Sequence, residues 1–134
     1  MAYKMKNQLL IHVGPAVLFA VLIFIFSSFP GDKLPEIGFD LDDKFIHAIE
    51  FGLFGIFLYH AFRFLSSFSK PYLASLCIGI VYAVLDEIHQ LFVPGRSCEI
   101  GDFIADSLGI IIFAGLSAWI NQFNTTMSEK RQIR

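Results

Sequence analysis

Two short strings of this sequence collect the side chains that could do chemistry. In the first, Asp43, His47 and Glu50 recur at i, i+4 and i+7, which sets them on one face of a helix. The second is Asp86, Glu87, His89 and Gln90. An imidazole beside carboxylates can exchange protons near neutral pH, and the same groups supply the nitrogen and oxygen ligands that Zn²⁺, Mn²⁺ or iron accept. Asp102 and Asp106 share a face just downstream, and Lys44 and Arg96 add cations. This reading makes His47, Glu50, Asp86, Glu87 and His89 candidate catalytic groups. It makes Asp43, Lys44, Gln90, Arg96, Asp102 and Asp106 candidate binding groups. Were a divalent metal the cofactor, its candidate ligands are His47, Glu50, Asp86 and His89. No convincing nucleophile accompanies them.

The elements that position these groups follow from composition. The chain has 134 residues, 55% hydrophobic and only 16% charged, with 16 phenylalanines. That excludes an ordinary soluble domain and a disordered chain. A helix rises about 1.5 Å per residue and needs about 20 residues to cross about 30 Å of hydrocarbon. Four such stretches use most of the sequence, at about 9–29, 45–64, 72–92 and 103–123. The expected fold is all-α: one four-transmembrane-helix domain over residues 1–134. Pro71 and the Pro94-Gly95 pair mark breaks. The first stretch reads as an uncleaved anchor, being too long for a signal peptide's apolar core and lacking a small-residue cleavage site. The net charge of −2 points to no nucleic acid.

Orientation comes from Lys and Arg, which accumulate in cytoplasmic loops. Lys4, Lys6, Arg63, Lys70, Lys130, Arg131 and Arg134 share one side and make up seven of the ten. Lys33, Lys44 and Arg96 hold the other side. Both termini are therefore expected in the cytoplasm of a multi-pass cell-membrane protein. Every acid except Glu129 then falls at or near the outer ends of the spans.

In antiparallel neighbours, residues equidistant from the turn lie at equal depth. Glu50 with Asp86, and His47 with His89, are both centred on position 68, inside the expected cytoplasmic turn. The connection before the fourth span has about ten residues, so three helix ends converge on one outward-facing polar site. Val93-Pro94-Gly95-Arg96 reads as a tight turn with a positive φ at glycine. It would hold Arg96 over the carbonyl end of the third helix, within reach of Glu87, Glu99 or a ligand's anion. Cys77 lies too deep to reach Cys98, so no intrachain disulfide is expected. Blander readings stand beside these. Asp42 or Asp43 can serve as a helix cap, Lys44 can snorkel, and His12 and His60 can be packing residues. Ala48, Gly52, Gly55, Gly79, Ala83, Ala105 and Gly109 suit close helix packing.

From about residue 27 to 115 the sequence resembles the VanZ-like family of small bacterial membrane proteins. The resemblance rests on Asp43-Lys44-x-x-His47-x-x-Glu50 and on Tyr82-x-x-x-Asp86-Glu87-Ile88-His89-Gln90-x-Phe92-Val93-Pro94-Gly95-Arg96. It continues through Asp102-Phe103-x-Ala105 and Gly109. Where the family commonly has Asn, this chain has Asp106, which adds a carboxylate. The resemblance implies a link with lowered susceptibility to the lipoglycopeptide teicoplanin. It also brings a phosphotransbutyrylase label, which nothing here supports, since no site for a soluble acyl-CoA is visible.

Three functions compete. The first is a site for an anionic lipid, a lipid-linked cell-wall precursor or a lipoglycopeptide at the outer face of the bilayer. Here His47 or His89 would be the acid or base, Glu50 and Asp86 would tune it, and Lys44 and Arg96 would hold the anion. The second is an intramembrane metal site, with carboxylate and histidine on facing helices. The third, proton or small-solute transport, is disfavoured because the cytoplasmic halves lack a relay beyond His60 and Arg63. Against all three stands an interhelical polar network that only orients the helices.

Overall fold

The computed structural model describes residues 2–31, 42–65 and 70–132. Its four helices are α1 (Ala2–Ser27), α2 (Asp42–Phe64), α3 (Pro71–Gln90) and α4 (Ile100–Gln132). All four are long and apolar enough to cross a membrane. The connections at 32–41 and 66–69, including position 68, lie outside the described residues.

Local chemistry accounts for the boundaries. Pro71 opens α3 at a position whose missing N–H has no helical partner to lose. α1 continues through Pro15, a break that membrane helices tolerate because neighbouring groups re-satisfy the freed carbonyl. α4 runs past the expected end at residue 123: Asn124–Gln132 continue the helix as an exposed polar extension. Apolarity sets the length of the span; beyond it Thr125 and Thr126 bond back to the Asn121 and Gln122 carbonyls, and the good helix formers Glu129, Lys130, Arg131 and Gln132 follow.

Four contacts fix the topology. Ser28 at the end of α1 meets His89 near the end of α3. Lys44 near the start of α2 meets Asp102 near the start of α4. Arg96 donates to the Phe29 carbonyl, and the Glu99 amide donates to Glu87. The helices therefore alternate in direction, α1 and α3 one way and α2 and α4 the other, with the candidate site residues gathered at one end.

α2 and α4 make the most intimate pairing. A Cβ at Gly109 would run into the Ala48 carbonyl oxygen, and one at Gly52 would meet the Phe113 ring at 2.9 Å. Small residues let these two backbones approach, and that approach brings His47 and Asp106 within bonding reach. Phe51, Ile23, Ala83 and Ile110 are fully buried in the core. Tyr82 packs on Phe54 at 5.2 Å between ring centroids and donates its hydroxyl proton to the Ala20 carbonyl at 2.6 Å. Elsewhere Leu10, Val17, Phe24 and Trp119 are exposed on the outside of the bundle, where lipid rather than water is the natural solvent.

Candidate functional site

The site is built across three helices. On α2, His47 is buried and its Nδ1–H donates to Asp106 Oδ1 on α4 at 3.0 Å. One turn earlier, Lys44 Nζ donates to Asp102 Oδ1 at 2.9 Å and to Glu99 Oε2 at 3.2 Å. The two rungs span sequence separations of 58 and 59 residues. A near-constant offset is the mark of parallel helices held in register.

α3 contributes Glu87, which is 4% exposed; its Oε2 accepts the Glu99 backbone N–H at 2.8 Å. Asp86 is buried as well and accepts from Gln90 Nε2 at 3.0 Å, one helical turn on. Glu50 is partly buried within electrostatic range of His47, Asp86, Asp106 and Arg96. Glu87 Oε1 and Asp106 Oδ2 are buried with no hydrogen-bond partner among the described residues.

His89 belongs to a different neighbourhood. Its Nε2 lies 2.9 Å from the Ser28 hydroxyl, and its ring packs on Phe24 with centroids 4.6 Å apart. Equal depth along a hairpin fixes height and leaves rotation open. His89 is turned toward α1, whereas His47 is turned toward α4. The side chains that gather around His47 are thus Asp106, Glu87, Asp102 and Asp43. Among the described residues, two groups have ligand atoms all within 4.8 Å of one another: His47, Glu87 and Asp106, and Asp43, His47 and Asp102. Only His47 is common to these and to the ligand set read from the sequence.

The turn beyond α3 closes as its residues dictate. Arg96 N–H donates to the Val93 carbonyl at 3.1 Å, and Gly95 adopts φ 73°, the geometry of a type II turn with proline second. The turn also docks on the end of α1: Gly31 N–H donates to the Pro94 carbonyl at 3.1 Å, and Arg96 Nε–H to the Phe29 carbonyl at 3.3 Å. A Cβ at Gly31 would collide with the Gly95 carbonyl. Arg96 therefore bonds to α1 through Nε rather than pairing with Glu87 or Glu99 there.

Outside the spans, the Lys44 ammonium and then the Ser97 hydroxyl hold the Glu99 carboxyl below its ordinary range. Partial loss of hydration and then the neighbouring Glu87 carboxylate push the Cys98 thiol up. Cys77 and Cys98 are both free and exposed.

Ser28 and Glu99 are the participants that sequence reasoning left out of the site. Ser28 was discoverable as the hydroxyl ending a span parallel to the one that carries His89. Glu99 was discoverable as the residue just before α4, where backbone amides are free to bond a neighbouring carboxylate.

Four apolar helices and a polar end made of Asp43, Lys44, His47, Glu50, Asp86, Glu87, His89, Gln90 and Arg96 are what the resemblance implies. The family model described as VanZ/LLP1 matches residues 13–121. The chain belongs to the VanZ/LLP1 family. The match extends well beyond residues 27–115 and takes in α1 from Val13 onward, so the VanZ/LLP1 unit includes the helix whose end carries Ser28. No curated protein and no solved structure matches the chain.

Proposed function

We propose that this VanZ/LLP1 protein works at the outer face of the bacterial cytoplasmic membrane, where its polar end engages an anionic head group and lowers susceptibility to teicoplanin. The head group would belong to an anionic lipid, a lipid-linked cell-wall precursor or the lipoglycopeptide itself. The sidedness rests on the Lys and Arg distribution, which assigns both termini to the cytoplasm and the polar end to the outside.

The observation that carries the reading is the buried His47–Asp106 pair with Glu87 beside it. Ionisable groups inside spans are costly and by default mark function. With Nδ1–H held by Asp106, His47 keeps Nε2 for proton exchange with a bound group, the division of labour an oriented imidazole allows. Lys44 is committed to Asp102 and Glu99, so it organises the site, and among the described residues at this end the Arg96 guanidinium is the cation left to meet an anion. His89 positions the end of α1 through Ser28.

The test is a teicoplanin susceptibility assay in a sensitive host expressing the chain. Wild type is expected to protect, as is Glu129→Gln. His47→Gln, Asp106→Asn and Glu87→Gln are expected to lose protection while folded protein stays in the membrane. Folded variants that still protect would refute the site assignment. Protection that falls in step with protein level would reduce the cluster to interhelical glue.

A further inference from the structure

We infer that His47, Glu87 and Asp106 form a binding site for one divalent first-row cation, of the Zn²⁺ or Mn²⁺ class, at the polar end of the bundle. The inference deepens the reading above, since it names what an anionic head-group oxygen would meet there.

Geometry comes first. One imidazole and two carboxylates arrive from α2, α3 and α4, all buried, with one ligand atom each inside a 4.8 Å circle. Ligands bonded to such an ion at about 2.1 Å stand about 3 Å apart when adjacent in an octahedron. The His47 Nδ1 to Asp106 Oδ1 separation is 3.0 Å. A cation can therefore take the place of the proton between these two atoms with little movement, that proton passing to Nε2 so that the imidazole stays neutral, and Glu87 offers a third ligand atom within 4.8 Å of the other two.

Charge and satisfaction point the same way. Glu87 Oε1 and Asp106 Oδ2 are buried without a partner, and an unsatisfied buried carboxylate oxygen is costly. The nearby Lys44 is spent on Asp102 and Glu99. Two carboxylates and a neutral imidazole carry the charge that one divalent cation balances. Mixed imidazole and carboxylate ligation suits first-row ions. The neighbouring set of Asp43, His47 and Asp102 fits less well: Asp43 is exposed, and Asp102 already holds an ammonium.

The test uses the full chain in phosphatidylcholine nanodiscs after treatment with EDTA. Mn²⁺ is followed by paramagnetic resonance, and Zn²⁺ by competition with a chromophoric chelator. One ion per chain is expected, with affinity falling at least tenfold in His47→Gln, Glu87→Gln and Asp106→Asn and unchanged in Glu129→Gln. Wild type alone supplies a second readout: EDTA should lower its melting temperature and Zn²⁺ or Mn²⁺ should restore it. Stoichiometry far below one, or a melting temperature indifferent to both treatments, would overturn the inference. Affinity lost in His47→Gln but kept in Glu87→Gln would overturn it in favour of the outer set. Protection without metal binding would refute this site alone, whereas metal binding without protection would refute the proposed function alone.

Discussion

His47 and Asp106 lie on parallel helices 59 residues apart in sequence, joined by a 3.0 Å hydrogen bond inside the bundle. Their meeting depends on how closely the backbones of α2 and α4 approach, and that depends on Gly109 lying against Ala48.

Replacing Gly109 with Ala should therefore damage the site without touching an ionisable group. The new methyl has to displace the Ala48 carbonyl, and overpacking of this kind typically costs about 1–3 kcal/mol. Gly14→Ala is the matched comparison, because nothing lies within 4 Å of a Cβ there; its effect should stay under about 1 kcal/mol. Unfolding in mixed micelles measures both. Equal stability of the two variants would contradict the close approach.

Gly95→Ala should destabilise by about 1–2 kcal/mol, because φ 73° is costly for any residue with a Cβ. The loss should appear as increased hydrogen exchange at Gly31 and Arg96, whose amides bond within or against this turn. Unchanged exchange at both amides would rule the clasp out.

Glu99 gives a pH signature. Its folded-state value is depressed by Lys44 and then Ser97 below the ordinary 4.5, so its stabilising contribution is fully present above 4.5. It is lost as pH falls through the lowered folded value. The difference in melting temperature between wild type and Glu99→Gln should accordingly shrink on acidification from pH 6 to pH 3, and it should shrink also in high salt because the pair is exposed. A difference that grows with acid would reverse the assigned sign.

Cys98 tests sidedness with a native side chain. In a Cys77→Ser background, an impermeant maleimide should label Cys98 on intact cells, slowly at neutral pH and faster as pH rises, because its thiol is shifted up. A cysteine introduced at Glu129 in a cysteine-free chain should label only after the membrane is opened. The reverse pattern would invert the topology.

Much of this was legible in the sequence because bilayer thickness leaves few choices. Apolar runs and prolines located four helices, and Pro94-Gly95 announced a turn whose positive φ is present. Small residues at Ala48, Gly52 and Gly109 suited close helix packing, and the structure supplies the pairing they serve, α2 with α4. Rotation about the helix axes was not legible. Hairpin arithmetic sets His47 and His89 at one height, but side-chain partners depend on which neighbour each face meets, and α1 takes His89 while α4 takes His47. Asp106 read as a departure from a family pattern, and the structure makes it the bonding partner of His47.

The clasp between Phe29–Gly31 and Pro94–Arg96 also imposes an order of events on biosynthesis. Arg96 lies 67 residues downstream of Phe29, and chains are made from the amino terminus at about 5–20 residues per second. For several seconds after α1 leaves the ribosome, its polar end has nothing to fasten to. α1 is the most apolar and least buried of the four spans, suited to lipid, and α2, on which it chiefly packs, is made before the clasp. The latch that secures the first helix is thus synthesised only after the third, and a ribosome stalled between them would leave a hairpin with an unfastened end.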